Sequence, residues 1–537
     1  MAHTPLLRWF QQLYRDLEIA EKLGRSVDEI QAERHRLRHT RRGFLKAAGG
    51  AAAVRVLARP ARLSAAGSPR IAIVGGGIAG LNAALVLSDA GYASTVYEAS
   101  GRIGGRMYSN STSWANGQVT EHCGELIDSG HKTILKLANR FNIPVDDLKA
   151  AEPRHSTGTY SFAGHYYTAA QANADFKPVY HAVKDDLRAA GYPTLYNSYN
   201  FAGLALDGLS VYEWIEARVP GGHGSPLGQL LDVAYNIEYG AETNIQSSLN
   251  LVYLLGYNSP GNLSLFGRSD ERYHMRGGND QLPKAIAALL PAESIVTGTS
   301  LTAISRNDDA SYTLSFSSGF SHFDIIADRV ILTIPFSVLR NLDYSHSGFN
   351  AVKVTGIQQL DYGTNSKLHL QFANRFWNES GPWGVSTGSS YSDTGYQNTW
   401  EVTRAQPGAT GILVDYTGGN IGASFTGDLG DPSVIQGYAS AFLGQLEPVF
   451  SGITGQWNGR ATLDTPWRSP YLLGSYFNWK VGQYTLFSGS EKERSGHCHF
   501  AGEHCSTDFQ GYMEGAAEEG ARAASEILTD YKNGIFP

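Results

Sequence analysis

Apolar positions along this chain come as short continuous runs and as helical repeats, and their order predicts the architecture. Ile71 to Val74 is a continuous apolar run of the kind buried parallel strands carry. Leu81 to Ala90 repeats at helical spacing, and Ser94 to Tyr97 reads as a second strand ending in Glu98. A helical pattern follows from His131 to Phe141. Helices are predicted through most of 176–265, with periodic apolar positions in Leu227 to Tyr239 and Leu249 to Leu255. Ser294 to Ile304 and Tyr312 to Phe316 read as strands, and Ala327 to Arg340 as a buried strand, a proline turn and a helix start. Beyond it the pattern turns strand-rich and aromatic: Lys367 to Phe372, Tyr396 to Val402, Thr410 to Tyr416 and Gly474 to Trp479. No apolar run reaches the roughly 18 residues of a membrane span. No internal repeat or linker appears, so the domains are expected to interleave.

The chemistry concentrates where the first strand meets the first helix. Gly75, Gly77 and Gly80 stand at G-x-G-x-x-G spacing. The first glycine makes a tight turn, the second lets a pyrophosphate approach the backbone, and the third packs helix on strand. The helix N-terminus offers unpaired N–H groups to the phosphates. Glu98 falls about where an acid accepts ribose hydroxyls. Strand, helix, second strand and terminal acid together predict dinucleotide binding. Two guanidinium groups, Arg102 and Arg106, follow in R-x-G-G-R and suit a diphosphate.

That R-x-G-G-R tail resembles the flavin amine oxidase family, which includes the monoamine oxidases and L-amino-acid oxidases. The resemblance runs through separated motifs from 70 to 530: the glycine turn, EHCGELIDS from Glu121, MRGGNDQLPKAIAALL from Met275, ADRVILTIPFSVLR from Ala327, and Phe500-Ala501-Gly502-Glu503 with Gly511 to Ala516. It implies an α/β fold: a Rossmann-like FAD-binding domain in three segments, interleaved with a mixed-sheet substrate domain and a helical insert. The implied divisions are FAD-binding segments at 69–130, 269–340 and 488–537, a helical and substrate region at 131–268, and a substrate domain at 341–487. The implied FAD contacts are Gly75, Gly77, Ala79, Gly80, Glu98, Ala99, Arg102, Gly105 and Arg106. To these it adds Gly124, Glu125, Leu126, Leu301, Gly502, Glu503, Gly511, Tyr512, Met513 and Ala516. Some relatives bond flavin covalently through a cysteine where this chain has Ser475, so the FAD is expected to be non-covalent.

The resemblance also assigns chemistry. Lys367 matches a lysine that holds a water near the flavin. Tyr476 and Tyr512 match an aromatic cage around the reacting amine, where two rings hold the amine and exclude water. For the substrate, Ile127 stands where some L-amino-acid oxidases carry an arginine, Tyr416 falls near a carboxylate-binding tyrosine, and Asp128 near an acid that some polyamine oxidases use. Arg276 and Arg468 are candidate replacement cations. The expected activity is FAD-dependent oxidative deamination of L-amino acids to 2-oxo acids, with ammonia and hydrogen peroxide released and O2 as co-substrate. Monoamine or polyamine oxidation is the alternative. A desaturase-type or protoporphyrinogen-type oxidase and a non-catalytic FAD-binding protein are weaker ones. The resemblance leaves a homodimer open.

Composition adjusts this picture little. The chain has 537 residues and a net charge of −7. Its first 68 residues are basic and the remainder acidic, which argues against nucleic acid as partner. Three cysteines, Cys123, Cys498 and Cys505, do not make a disulfide framework. His497-Cys498-His499 with His504-Cys505 invites a metal reading, but alternate strand residues face opposite ways and no metal is expected. Thr40 to Lys46 looks like a twin-arginine export signal, followed by Ala/Gly-rich sequence; Pro5 to Leu23 and Val27 to Ala48 also read as amphipathic helices. A functional signal would place the protein in the periplasm, and its failure would leave the protein soluble in the cytoplasm.

Overall fold

The computed structural model describes residues 69–535, so the export-signal segment and the two expected N-terminal helices lie outside the described residues. A five-stranded parallel sheet forms the base. Its order is Cys498–Phe500, Arg329–Leu332, Ile71–Val74, Thr95–Tyr97, Ile295–Val296, so three distant parts of the chain build it. Ile71–Val74 is buried at every position and pairs in register with Arg329–Leu332 on one side and Thr95–Tyr97 on the other. Burial on both faces is what the unbroken apolar runs require.

One core packs helices Ile78–Asp89, Lys132–Arg140, Gln281–Leu289 and Met513–Lys532 around Ile73 and Ile331. Gly520 lets the first and last helices cross closely: a Cβ there would stand 2.1 Å from the Ala79 carbonyl oxygen. A three-stranded antiparallel sheet, from Ser300–Arg306 to Ser321–Ala327, adjoins the base, with the rings of Phe316 and Tyr97 stacked at 4.5 Å. The strand expected over 294–304 is therefore two. Ile295–Val296 joins the parallel sheet, and a turn at Gly298 (φ +64°) sends Ser300–Arg306 into the other.

The second layer is a seven-stranded mixed sheet in the order Trp457–Asp464, Ser366–Phe372, Gly411–Thr417, Asn398–Glu401, Ser386–Ser392, Thr157–Phe162, His165–Tyr167. Leu368, Leu370, Leu413 and Leu463 pack under the helix Pro432–Leu446. Alternation then puts Lys367, Tyr416 and Asn398, which stand directly opposite one another, on the other face. The region 131–268 is shared between layers. Lys132–Arg140 packs Ile134 and Leu137 into the cofactor core, Thr157–Tyr167 joins the mixed sheet, and the helical insert runs from Ala169 to Leu255. The strand expected over Gly474 to Trp479 shrinks to Phe477–Asn478, paired with Asp361–Tyr362. Gly474 (φ +154°) breaks the extended run ahead of it.

Candidate active site

The glycine turn is tight for a visible reason. Gly75 has φ +109°, and a Cβ on Gly80 would stand 2.0 Å from the Gly75 carbonyl oxygen. The helix that follows makes its first backbone bond from Leu81 N–H to Gly77 O, and no side chain caps it. Its leading N–H groups therefore remain available to an anion. Beside Gly77 a Cβ would meet only Gly105 Cα, at 3.9 Å. Gly104 donates to Gly76 O at 2.8 Å, so the second glycine pair lies directly against the first. Glu98 accepts from Gly76 N–H at 2.7 Å and from Ser100, and Thr299 N–H donates to its carbonyl. That last bond brings the start of the Leu301 strand alongside the turn. Uncapped N–H groups, a glycine-lined approach and a buried carboxylate fit a dinucleotide diphosphate and ribose.

Both arginines of R-x-G-G-R are engaged by the protein itself. Arg102 donates to Gly105 O at 2.9 Å and lies 4.0 Å over the Tyr108 ring. Arg106 donates to Ser475 O at 2.7 Å and to Glu503 at 2.8 Å, while Gly511 N–H donates to the other Glu503 oxygen. Burial pulls the Arg106 guanidinium down, and Glu503 more than offsets this, so its pKa ends above the ordinary value. One ion pair thus closes the first segment onto the C-terminal one. Gly124 touches Met513, where a Cβ would meet its Cγ at 3.1 Å, and Asn279 donates to the carbonyls of Gly124 and Glu125. Ala516 is buried in the first turn of the last helix.

Lys367 is buried with all its protons directed at protein acceptors: Glu125 at 2.7 Å, Cys123 O at 2.8 Å and Glu121 O at 3.4 Å. The other Glu125 oxygen accepts from Trp400 Nε1 at 2.9 Å, and the Trp400 ring meets Tyr416 edge-on at 5.0 Å. Sequence reading placed Glu125 only against the cofactor and missed Trp400. The signal, a carboxylate directly after a loop glycine, has no periodicity to reveal a partner 242 residues away.

Tyr416 and Tyr476 meet through their hydroxyls at 2.8 Å, and Tyr476 donates to Ile237 O at 3.1 Å. The carbonyl can only accept, so the proton between the tyrosines belongs to Tyr416. Gly511 (φ +80°) lies against the Tyr476 ring, where a Cβ would stand 3.5 Å from it. Tyr512 opens the last helix, and its hydroxyl is 3.3 Å from Ser269 Oγ. Ser269 in turn donates to Asp128 Oδ1 at 2.9 Å, and Glu271 N–H donates to the same oxygen at 2.8 Å.

Two further carboxylates, absent from the sequence reading, join Asp128 here. Glu238 follows Ile237, whose carbonyl holds Tyr476, and Glu271 sits at φ +46°, a left-handed conformation uncommon outside glycine. Neither is fully shielded from solvent, as expected of side chains lining a site. Burial, then Glu271 and Asp128, pushes Glu238 well above the usual carboxylate range; burial and Asp128 push Glu271 up to about 7. Burial also raises Asp128. Glu238 could have been suspected, being an acid at i+3 from Tyr235 on an otherwise apolar helix face.

Other expected residues lie elsewhere. Ile127, expected beside the substrate, instead turns into the cofactor core at 0% exposure, because its backbone bridges to Tyr273 and fixes its side chain inward. Arg276 pairs with Asp146, and Arg468 donates to the carbonyls of Phe425 and Gly427, so neither faces the tyrosines. His499 binds Glu526 from within the parallel sheet. Among the described residues no helix is long and apolar enough to cross a membrane.

A three-segment parallel sheet with an anion-ready glycine turn, set against a mixed sheet that presents tyrosines, defines a flavoprotein oxidoreductase of two interleaved layers. The chain belongs to the flavin-containing amine oxidoreductase family, whose model matches residues 78–528. It is 26% identical to the "Putative L-amino-acid oxidase YobN" of Bacillus subtilis (strain 168), across 87% of this chain and 96% of that one. It is 23% identical to "Polyamine oxidase 1" of Zea mays, across 88% and 92%. Its fold resembles that of cyclohexylamine oxidase from Brevibacterium oxydans IH-35A, with TM-score 0.74, 20% identity and coverage of 87% and 100%. Membership of this family implies a flavin, FAD, as cofactor, and the cradle described above fits one.

Proposed function

We propose that this protein oxidises a C–N bond of an amine that carries a second, cationic amino group, a diamine or polyamine, and passes the electrons to O2 to give hydrogen peroxide. The observation that carries this reading is the trio of carboxylates, Asp128, Glu238 and Glu271, around the paired tyrosines. Relatives named for amino acids and for polyamines are about equally distant, so they do not decide it. Charge does. At an effective dielectric near 20, like charges about 5 Å apart repel by roughly 3 kcal/mol, on the order of a hundredfold in affinity. An α-carboxylate would meet that repulsion from each ionised member of the trio and push the others further toward the neutral form, whereas a distal ammonium would favour their ionisation and gain from it. L-Amino-acid oxidation, the other reading, rests on Tyr416 as a donor, and that proton is already given to Tyr476.

The roles follow from position. A bound, non-covalent FAD supplies the oxidising power by accepting a hydride from the carbon next to nitrogen. Tyr476 and Tyr512 hold the amine and exclude water. Only the neutral amine gives up hydride readily, and Glu271, poised near neutrality, is placed to take the ammonium proton on its carboxylate. Asp128 holds the distal cation, and Glu238, which burial and its acidic neighbours bias toward the protonated form, ionises as the ammonium arrives beside it. Glu125 and its two partners keep Lys367 fixed on the sheet face. Release and hydrolysis of the imine give the oxo product and the free amine or ammonia.

A peroxide assay across matched pairs tests this: cadaverine against lysine, and phenylethylamine against phenylalanine. The decarboxylated member should lead each pair by about a hundredfold in kcat/KM. Faster turnover of the amino acids would sink the reading. A bound flavin that no amine reduces anaerobically would leave only a binding protein.

A further inference from the structure

His131 is wholly buried at the N-terminus of the helix Lys132–Arg140, outside every role assigned above. Its Nδ1 lies 3.0 Å from the backbone nitrogen of Asp128. That N–H can only donate, so Nδ1 carries no proton and Nε2 must carry it. Nε2 lies 3.4 Å from Asp128 Oδ2 and has no hydrogen-bonded partner of its own. The same ring meets Tyr512 edge-on at 5.0 Å and Phe509 at 5.4 Å. Burial holds the imidazole neutral, with its pKa near 3, so it adds no charge to compete with a cationic substrate. Asp128 Oδ1 is committed to Ser269 and Glu271 N–H, which leaves Oδ2 as the oxygen that His131 flanks.

We infer that His131 is a positioning residue that ties the Asp128 carboxylate to the Tyr512 ring and so sets the span between the two amino groups a substrate presents. The inference rests on the diamine reading above. One rigid ring touches both ends of the measure: the backbone and carboxylate of Asp128 at its nitrogens, and the cage wall at its edge. A substrate whose amines are one methylene too close or too far would lose one contact or the other, and sensitivity to chain length follows.

The test uses the flavin-loaded protein and a series of linear diamines from three to seven carbons, with phenylethylamine as the single-amine reference. His131→Phe keeps the ring against Tyr512 but removes both nitrogens. It should raise the KM of the best diamine about tenfold more than that of phenylethylamine and flatten the chain-length preference. His131→Asn, which retains an acceptor for the Asp128 N–H, should fall between parent and His131→Phe, and it makes the same comparison if the phenylalanine variant does not fold. Equal changes for mono- and diamines, or an unchanged length profile, would overturn the inference. Asp128→Asn separates the two claims. If it raises diamine KM while the His131 variants do not, the diamine reading stands and the positioning role fails; if it leaves the diamine KM unmoved, the diamine reading itself fails.

Discussion

Removing Lys367 should do more to the protein than remove a charge. Its ammonium and the Glu125 carboxylate are 7% and 5% exposed and 2.7 Å apart. Lys367→Met leaves Glu125 with Trp400 Nε1 as its one remaining hydrogen-bond donor among the described residues. Breaking a buried pair from one side costs about 3–5 kcal/mol, because the surviving charge stays desolvated and uncompensated. Glu125→Leu should cost a similar amount, since Lys367 would retain only carbonyls. The double variant should recover most of the loss, because a pair replaced by apolar groups of similar volume is near neutral. Chemical denaturation of the parent, both single variants and the double variant gives the coupling energy directly. Summed single losses matched by the double variant, or single losses below about 1 kcal/mol, would refute the reasoning. Flavin reoxidation measured on the same four proteins separates stability from chemistry: if Lys367 assists oxygen reduction, both proteins lacking it reoxidise slowly whatever their stability.

Asp415 lies in the core beneath the mixed sheet with Oδ1 unpaired, and burial drives its pKa well above the ordinary range. The folded chain therefore holds this proton longer than the unfolded one, so the contribution of Asp415 to stability is greatest below about pH 4 and declines as pH rises. Asp415→Asn should gain on the parent by about 1.4 kcal/mol per pH unit above that point until the native carboxyl ionises, measured by denaturation at several pH values; a difference independent of pH would contradict this. Gly80→Ala places a Cβ 2.0 Å from the Gly75 carbonyl oxygen, so the protein should be recovered with little flavin, read from its visible absorbance; full flavin occupancy would mean the turn can shift.

How far the site could be read ahead of the fold depended on distance along the chain. The glycine turn, the strand ends and the C-terminal helix were legible because each is a local spacing of residue types, and the opening strand–helix–strand unit stands where expected, with its boundaries shifted by only a few residues. The strand at 294–304 was misjudged because one apolar run serves two sheets, and nothing local marks the change. Glu238 and Glu271 escaped because isolated acids on a helix and in a loop look like solvated surface until packing surrounds them.

By itself the sequence determined a dinucleotide-binding turn and the fold class, and its resemblance to a known family named the flavin. Turn and fold class depend on backbone conformations that glycine permits and on apolar periods that decide which faces are buried, and these are properties of neighbouring residues. Only the tertiary structure decided what lies around the amine. Tyr416 faces Tyr476 across 60 residues, Glu125 reaches Lys367 across 242, and Asp128 meets Ser269 across 141. Such contacts are fixed by how two sheets and an inserted helical region close on one another, and charge at the site is a sum over groups that only closure brings within range.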